Sequence, residues 1–367
     1  MARLPKGIRT VLKLFFGFLL IFIAYIAITL IHGTFTDFKA EEIIPLEASQ
    51  ASSLEVIEDS TLSFTIWNIG YGGLGAECDF FYENGSLRSG DHFVRPTQAL
   101  SEKNLNGALS FIRTNPADFF LLQEVDLDGK RSYHINQFEA IQNILPGYSS
   151  FFAVNYDVQR VPIPVLEPWN VIGSICSGLG TYSKYQPFES IRYQLPGEYD
   201  WPTRIFQLDR CAAVHRFKTA WGKELLVVNV HNSAYDTGGT LKKQQMEWIK
   251  QYLLKEYEQG KYVIIGGDWN QCPPDFVFDA FMPGKGGKYT QTNIDADYFP
   301  SDWQWAYDPK VATNRKVAAP YEAGKTFVTL IDFFLLSPNI QLKKIKGADL
   351  DFQFSDHQPV QIEIELK

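Results

Sequence analysis

The chain lacks closely spaced cysteines. It has four, Cys78, Cys176, Cys211 and Cys272, and no two of them lie within four residues of each other. This spacing excludes a zinc or redox site of the CxxC type. The four thiols are either buried in the core or joined in up to two disulfides, and the spacing leaves both alternatives open.

Positive charge is also scarce outside the N-terminus. Four of the 34 Lys and Arg residues precede Asp37, which leaves 30 against 42 Asp and Glu residues in the rest of the chain. Non-specific binding of nucleic acid needs clustered Lys and Arg to neutralise phosphates. The balance therefore argues against a high-affinity, non-specific nucleic-acid binder. It does not argue against bound metal ions, which reverse the local charge of an acidic site.

No repeat of solenoid period is visible in the sequence. Hydrophobic residues make up 45% and aromatic residues 15% of the 367 positions, which is ample for a packed core. The length suits one large domain with an accessory segment, or two small domains.

Charged residues are absent from Leu14 to Ile31. As a helix this segment is about 27 Å long, close to the roughly 30 Å of bilayer hydrocarbon. Basic residues precede it and acidic residues follow it, so the positive-inside rule places the N-terminus in the cytoplasm and the body outside. A cleaved signal peptide is the alternative, but its apolar stretch is shorter and residues 31–34 form a poor cleavage site. We therefore expect a single-pass protein held in the membrane through residues 11–31.

The sequence divides into three predicted parts: a basic tip and anchor at 1–33, an acidic tether at 34–60, and a body at 61–367. Segments rich in β-forming residues recur in the body, with segments of helical periodicity between them. The predicted strands are 62–67, 118–122, 225–230, 262–266, 331–336 and 359–366, and the predicted helices are 97–113 and 241–257. This mixture indicates an α/β or α+β sandwich. The stretches 70–95, 156–176 and 272–310, rich in Gly, Pro and aromatic residues, are predicted to be long functional loops.

Polar residues stand at the ends of these predicted strands. They are Asn68, Glu124, His231, Asp268 with Asn270, Asp332, and Asp356 with His357. Taken singly, each has an ordinary explanation as a turn residue, a solvated strand end or a core histidine. A sheet sandwich gathers strand ends at one edge, however, so the set predicts a common site. The glycines before Asp268 allow a tight turn, and we expect Asp268 and Asn270 to point to the same side of an extended chain.

Together and in this order, these segments resemble the endonuclease/exonuclease/phosphatase superfamily. That superfamily includes abasic-site endonucleases, pancreatic-type deoxyribonucleases, neutral sphingomyelinases and inositol polyphosphate 5-phosphatases, and the chain is most similar to membrane-anchored bacterial members. The resemblance spans roughly residues 62–367. Its motifs are Trp67-Asn68-Ile69-Gly70, Leu122-Gln123-Glu124, Asn229-Val230-His231, Gly267-Asp268-Trp269-Asn270, Ile331-Asp332-Phe333-Phe334-Leu335 and Ser355-Asp356-His357-Gln358-Pro359.

The resemblance implies a four-layer sandwich, with two packed mixed β-sheets flanked by helices and preceded by one transmembrane helix. It implies that Glu124, helped by Asn68 and Asp356, binds Mg²⁺, with Mn²⁺ as the alternative. Mg²⁺ prefers one or two carboxylates and several waters, which suits so small a set.

The resemblance also implies the catalytic roles. Asp268 orients or deprotonates the attacking water, and His357, held by Asp332, stabilises or protonates at phosphorus. Asn270 and His231 hold phosphate oxygens. Such a set is needed because an anionic phosphodiester repels hydroxide until cations and amide donors offset its charge.

Two arginines are further candidates for binding substrate. Arg131 and Arg210 each carry a planar guanidinium able to clamp a phosphate, and a surface ion pair is the alternative for each. The tyrosine that nuclease members use near the phosphate has two candidates here, Tyr156 and Tyr182. Residues 74–95 have no counterpart in the family pattern.

Three functions remain open at this stage. The first is a phosphodiesterase acting outside the cytoplasm on a lipid headgroup or another small phosphodiester. The second is a membrane-anchored nuclease, and the third is a non-enzymatic binding module on the same fold. The phosphodiester substrate and the membrane are the expected partners, and no obligate protein partner is inferred.

Overall fold

The structure is a computed structural model that describes residues 5–234, 236, 238–282 and 292–367. Within these residues, α-helices α1 to α4 span Lys6–Phe35, Gln98–Thr114, Gln137–Ile144 and Thr240–Glu258. The strands β1 to β16 span Ile43–Pro45, Val56–Ile57, Thr61–Asn68, Phe119–Gly129, Ser149–Val161, Gly173–Ser183, Glu189–Gln194, Cys211–Thr219, Glu224–His231, Tyr262–Asp268, Gln304–Ala306, Asn314–Arg315, Val328–Thr329, Asp332–Leu336, Ile340–Gly347 and Val360–Leu366.

Two mixed sheets pack face to face. Sheet I has the order β1-β7-β8-β9-β10-β14-β11, with β2 beside β8, and sheet II has the order β15-β16-β3-β4-β6-β5. Apolar residues of both sheets meet in one buried cluster between them. Phe64 of sheet II stacks on its neighbour Phe119 at 4.4 Å and meets Phe334 of sheet I edge-on at 6.4 Å. The alternation of side chains along each strand puts these rings on the inner face.

Helices cover the outer faces of the two sheets. Apolar residues of α4 (Met246, Ile249 and Leu253) pack on sheet I. Residues of α2 and α3, such as Ile112 and Ile141, pack on sheet II. The molecule is therefore a four-layer α+β sandwich, as the resemblance implied.

The strongly patterned segments lie where the sequence predicts them. The six predicted strands correspond to β3, β4, β9, β10, β14 and β16, and the two predicted helices correspond to α2 and α4. The prediction missed helix α3 and strands β5, β6, β7 and β15, which the structure shows.

Two of the three predicted long loops are partly wrong. Residues 156–161 and 173–176 belong to the hairpin β5–β6, so the connection is only 162–172. The interval 272–310 contains β11 and a short 3-10 helix, Phe278–Ala280, and residues 283–291 lie outside the described residues. The interval 70–95 is irregular apart from two 3-10 turns, Gly70–Gly72 and Phe81–Asn84.

The N-terminal helix α1 is long and apolar enough to cross a membrane, by length and composition. A signal sequence near the N-terminus passes the same test. At its C-terminal end Gly33 is buried, and a side chain there would lie 3.0 Å from Ile205 and 3.1 Å from Phe206. The end of α1 therefore packs directly against the body.

The predicted tether, 34–60, lies along the body. Its strand β1 pairs with β7, its strand β2 pairs with β8, and Gln50 forms a bridge to Ser150. The division into 1–33, 34–60 and 61–367 stays a prediction, but this tether is hydrogen-bonded to the body. All four cysteines are free thiols, with Cys176 partly exposed and the other three buried.

Candidate active site

Three adjacent strands of sheet I bring three predicted site residues into one row. Asp268, the last residue of β10, is paired in register with His231 of β9 and with Asp332 of β14. All three side chains are buried. Register alone therefore sets the spacing of the row, because residues directly opposite each other on neighbouring strands lie about 4.5–5.5 Å apart.

Sheet II contributes Asn68 and Glu124 from the facing edge. Asn68 ends β3, and Glu124 follows the point where the pairing of β4 with β6 shifts between Leu122 and Val125. Glu124 has a φ of 51°, a left-handed conformation that is uncommon for a residue with a side chain. Such bulges turn a side chain away from its regular direction. Here the bulge leaves Glu124 half-buried and within 3.2 Å of the Asn68 amide.

Asp356 and His357 reach the same edge through the loop before β16. Trp67 Nε1 donates a hydrogen bond to the His357 carbonyl at 2.9 Å, and Ser355 Oγ donates to the Asn68 carbonyl at 2.8 Å. These two bonds fasten the loop to the end of β3. The structure thus brings together Asn68 and Glu124 from one sheet with Asp268 and Asp332 from the other, and His357 lies between them.

Asp268 and Asn270 are arranged differently from the prediction of an extended chain. Asn270 has a φ of 50°, and its N–H donates to Asp268 Oδ1 at 2.9 Å, so the two residues form a tight turn. Gly267 has a φ of +147°, and a Cβ there would lie 2.0 Å from the Val230 carbonyl oxygen. Position 267 therefore requires glycine because β10 and β9 approach each other closely there. The tight turn itself is formed by the residues from Asp268 to Asn270. Asn270 Nδ2 donates to the Asn232 carbonyl at 2.9 Å.

His357 is held as a cation between carboxylates. Its Nδ1 lies 2.8 Å from Asp332 Oδ2, and its Nε2 lies 3.6 Å from Asp268 Oδ2. Burial by itself would lower the pKa of His357, but the neighbouring Asp332 and Asp268 outweigh it and raise this pKa well above 6.5. The structure thus places Asp332 in contact with His357, and the holding role given to Asp332 stays a prediction.

The structure adds a residue that sequence reasoning missed. Asn314 Nδ2 lies 2.9 Å from His357 Nε2. A neutral imidazole accepts a hydrogen bond from the amide NH₂ there, and a protonated one donates to the amide oxygen after the amide turns over. Asn314 thus suits both protonation states. It lies on the two-residue strand β12, where no periodic pattern marks it.

Asp268 is enclosed by donors. Asn68 Nδ2 donates to its Oδ2 at 3.1 Å, and His231 Nε2 lies 3.3 Å from the same oxygen. Burial raises the pKa of Asp268 to about 6, although His357 opposes this rise. His231 is also buried, which lowers its pKa well below 6.5, and the nearby Arg210 lowers it further. His231 is therefore neutral, and its Nε2 faces Asp268 Oδ2.

Glu124 and Asp356 form the acidic side of the cleft. Neither has a Lys, Arg or His partner within ion-pair distance among the described residues. Burial raises the pKa of Asp356 to about 6; the nearby His357 opposes this rise, and Glu124 adds to it. Gly70, with a φ of +53°, passes so close that a Cβ would lie 2.9 Å from Asp356 Oδ1.

This donor set fits a divalent cation. Two carboxylates that form no close ion pair among the described residues repel each other, and a bound Mg²⁺ or Mn²⁺ would reduce that repulsion. Asn68 lies beside them, with its amide oxygen accepting from the Gly70 N–H at 3.0 Å and its NH₂ donating to Glu124 and Asp268. Asn68 therefore bridges two carboxylates, and direct ligation of the metal by Asn68 stays a prediction.

A second acidic group has metal-ligand spacing. Ligand atoms of Asp268, Asp332 and His357 all lie within 4.8 Å of one another. In this structure Asp332 is already bonded to the imidazole, and a protonated imidazole has no free lone pair for a metal.

The two candidate arginines lie in different surroundings. Arg131 is buried, bonds Asp126 through Nε at 3.1 Å and Nη2 at 2.8 Å, and stacks 3.8 Å from the Tyr71 ring. Arg210 is buried and donates to the His231 carbonyl at 3.3 Å. Its pKa is lowered by burial, although Asp268 opposes this. Among described residues Arg210 has no ion-pair partner, which leaves its charge available at the site. Substrate binding by either arginine stays a prediction.

Neither predicted tyrosine presents its hydroxyl to the cleft. Tyr182 donates to the Phe138 carbonyl at 3.0 Å in the core, and Tyr156 donates to the Phe206 carbonyl at 2.9 Å. Tyr71 lies nearer. Burial raises its pKa well above 10, and Glu124 and Asp356 contribute to this rise. Its left-handed φ of 44° follows Gly70, and this Gly-Tyr-Gly turn is the signal that could have singled it out.

Comparison with known proteins agrees with this geometry. The sequence profile of the endonuclease/exonuclease/phosphatase family matches residues 67–357. No curated protein is similar enough in sequence to count as a match.

Solved structures show the same fold at low identity. The endonuclease/exonuclease/phosphatase from Beutenbergia cavernae is 16% identical with a TM-score of 0.55, over 83% of this chain and 72% of that one. TDP2 from D. rerio is 14% identical with a TM-score of 0.52, over 84% and 100% of the two chains. The human Nocturnin catalytic domain is 16% identical with a TM-score of 0.52, over 85% and 97%.

The matched segment begins at the tryptophan before Asn68 and ends at His357, so it contains every predicted metal-binding and catalytic residue. It covers well over half of the 367-residue chain. The chain belongs to the endonuclease/exonuclease/phosphatase family.

Proposed function

We propose that the protein is a metal-dependent phosphodiester hydrolase that acts outside the cytoplasm. One observation carries this proposal. Two carboxylates that form no close ion pair among the described residues, Glu124 and Asp356, lie at the same edge as Asp268 and an imidazole bonded to Asp332. Attack of water on a phosphodiester needs a cation, a proton acceptor and a cationic donor in one place, and the cleft offers all three.

Glu124 and Asp356, with Asn68 beside them, would hold the metal, which when bound supplies charge neutralisation at a phosphate oxygen. Asp268 is the proton acceptor for the attacking water. With a pKa raised to about 6 by burial, it is ionised near neutral pH and basic enough to take a proton. The hydrogen bonds from Asn68 and from the Asn270 N–H fix the direction of the carboxylate.

His357 provides positive charge where negative charge develops. Its bond to Asp332 keeps the ring oriented and protonated. The ring can then donate from Nε2 toward an oxygen of the reacting phosphate while Asn314 remains at its edge.

Three further groups are suited to phosphate oxygens. His231 is neutral and directs Nε2 at the reaction cleft, and Asn270 has a second amide hydrogen besides the one given to Asn232. Arg210 adds an uncompensated cation in the same wall. Together they can bind the non-bridging oxygens of the phosphate, while Glu124 and Asp356 would bind the metal.

For the substrate we favour a lipid headgroup or another small phosphodiester over nucleic acid. The apolar helix α1, proposed to be an uncleaved anchor, keeps the body beside a bilayer, and the body is acidic overall. A solved structure of zebrafish TDP2 on this fold contains a single-strand DNA product, so a membrane-anchored nuclease is the second candidate. The topology has its own test: a C-terminal reporter enzyme active only outside the cytoplasm should be active.

The test of function uses the full chain in detergent with bis-p-nitrophenyl phosphate. We expect hydrolysis with Mg²⁺ or Mn²⁺, loss with EDTA, and loss in the Asp268→Ala and His357→Ala variants. Asp302→Asn, an exposed carboxylate, is the matched control and should keep full activity. Equal turnover by both site variants would refute their roles, and no turnover under any condition would favour a binding module.

Substrate class is tested on the same preparation. Vesicles of sphingomyelin or phosphatidylinositol and plasmid DNA are offered in parallel. Release of a phosphorylated headgroup with intact DNA supports the first candidate. Rapid nicking of the DNA with intact lipid reverses the ranking.

A further inference from the structure

The loop 86–89 and the hairpin β5–β6, with its connection 162–172, form one lobe of the body. The N–H groups of Val165 and Leu166 donate to the carbonyls of Ser86 and Leu87, and Ser89 bonds Glu167 through its N–H and its hydroxyl. A buried apolar cluster lies beneath the tip. The lobe is therefore a folded part of the body, and its tip is a defined surface.

Large apolar side chains cover the tip of this lobe. Trp169 is 75% exposed, Leu87 60% and Leu166 39%. Isolated exposed apolar residues are ordinary, but two of these three come from backbone segments that are hydrogen-bonded to each other. A tryptophan that is mostly exposed on such a tip is typical of a membrane–water interface, where an amphipathic ring is stabilised.

Three positive charges surround the same tip. Arg160 Nη2 donates to the Pro168 carbonyl at 2.8 Å, and Arg95 Nη1 donates to the Val171 carbonyl at 3.1 Å. The alkyl stem of Lys130 lies against Gly173, the first residue of β6 after the connection 162–172. Burial and repulsion from Arg95 and Arg160 lower the pKa of Lys130. In the part of the chain that the structure describes, none of the three has a carboxylate within ion-pair distance.

This lobe is also next to the end of the apolar helix. Gly33 packs on Ile205 and Phe206, Thr34 accepts a hydrogen bond from Trp201 Nε1 at 3.1 Å, and Phe206 belongs to the cluster under the lobe. If α1 crosses a bilayer, its C-terminal end lies at the bilayer surface, and the lobe is attached to that end. Trp201 is itself 55% exposed.

We propose that this lobe docks on an anionic bilayer surface, with Trp169, Leu87 and Leu166 entering the interface and Arg95, Lys130 and Arg160 binding lipid phosphates. Charge complementarity identifies the partner, because an uncompensated basic group in an acidic body fits an anionic surface. Continuity with α1 identifies that surface as the membrane rather than a soluble polyanion. Docking would hold the body at the lipid headgroups, and hydrolysis would still be carried out by the catalytic residues around Asp268 and His357.

The experiment uses the full chain in lipid nanodiscs. The discs contain phosphatidylcholine alone or with phosphatidylglycerol, each prepared with and without brominated acyl chains, which quench nearby tryptophan. The difference between the wild type and Trp169→Phe reports Trp169. We expect quenching of Trp169, greater in the anionic discs and reduced by salt. Trp221, bonded to Tyr262 at 3.0 Å in a turn of sheet I, is the control and its removal should not change quenching.

A triple variant and a double variant separate charge from hairpin structure. Replacing Arg95, Lys130 and Arg160 by Gln should reduce the docking equilibrium on anionic discs by about a hundredfold, at about fivefold per cation. Replacing the two arginines by Lys removes their guanidinium bonds to the Pro168 and Val171 carbonyls but keeps the charge, and should preserve quenching. Turnover of bis-p-nitrophenyl phosphate should be unchanged in both variants.

Several outcomes overturn the proposal. It fails if Trp169 is unquenched, or equally quenched in neutral and anionic discs. Binding of a labelled oligonucleotide that the Gln variant abolishes, without lipid quenching, would assign the lobe to nucleic acid. The proposal rests on the proposed insertion of α1. Protein that does not co-purify with discs would contradict that insertion as well, whereas loss of phosphodiesterase activity alone would leave the docking result intact.

Discussion

Replacing Asp332 by Asn tests how the site keeps its histidine charged. Asp332 Oδ2 lies 2.8 Å from His357 Nδ1, and both side chains are buried. Asparagine has nearly the same shape, so the change removes a charge while leaving the packing of β14 intact. The other nearby carboxylate, Asp268, is 3.6 Å from the far ring nitrogen and compensates only in part.

The size of the effect follows from the bond that is lost. A hydrogen bond to a charged partner contributes about 1.5–3 kcal/mol, so the pKa of His357 should fall by roughly 1–2 units. If the protonated ring stabilises the transition state, kcat/KM should fall by about 10- to 150-fold. The loss should be larger at high pH, because the weakened imidazolium deprotonates earlier.

The assay is a pH profile of kcat/KM for bis-p-nitrophenyl phosphate with Mg²⁺, together with an NMR titration of the imidazole. The alkaline limb should move to lower pH by the same 1–2 units in both measurements. Asp302→Asn is the control for loss of a carboxylate and should reproduce the wild-type profile. An unchanged alkaline limb, with kcat/KM within about twofold of wild type, would refute the role given to Asp332.

Three other results are expected. Gly70→Ala should weaken Mg²⁺ binding, measured by calorimetry, because the added methyl group crowds Asp356. The control is Gly90→Ala, which is also at a positive φ (+60°) but has open space around it and should leave Mg²⁺ binding unchanged. Equal Mg²⁺ affinities of the two variants would contradict a role of the contact between Gly70 and Asp356. Asn314→Ala should lower kcat about tenfold at unchanged KM, since it removes one hydrogen bond to His357, and a change confined to KM would contradict this. Burial raises the pKa of Asp356 from 3.8 to about 6, so the metal-free protein should lose stability as the pH rises through this interval. The increase in Tm caused by Mg²⁺ should grow over the same interval, because the metal binds the ionised carboxylate. An increase in Tm that does not depend on pH would argue against Asp356 as a ligand.

The polar residues at the ends of the strands were the part of the site that the sequence could predict. A strand ending in a polar residue places that residue at the sheet edge, and the pairing of β10 with β9 and β14 then aligns Asp268 with His231 and Asp332. The core strands were recognisable because they are continuously apolar or strictly alternating. Strands β5 and β7 are not, because polar residues such as Asn155, Asp157 and Arg192 interrupt them while their backbones stay paired.

Backbone conformation was the part that sequence could not supply. The bulge that directs Glu124 is a pairing irregularity between two strands, and it has no signature within either strand. The turn at Asn270 depends on its bond to Asp268. Asn314 contacts His357 because tertiary hydrogen bonds hold β12 next to the site. One of these bonds runs from the Ile331 N–H to Thr313 Oγ1, beside Asn314.

The most direct measurement for the central claim is anomalous diffraction from crystals of the protein containing Mn²⁺. We expect a single anomalous peak between the carboxylates of Glu124 and Asp356, at about 2.1–2.2 Å from an oxygen of each. We also expect that His357 remains bonded to Asp332 beside the ion. A peak coordinated instead by Asp268, Asp332 and His357, or the absence of any peak in the cleft, would contradict this expectation.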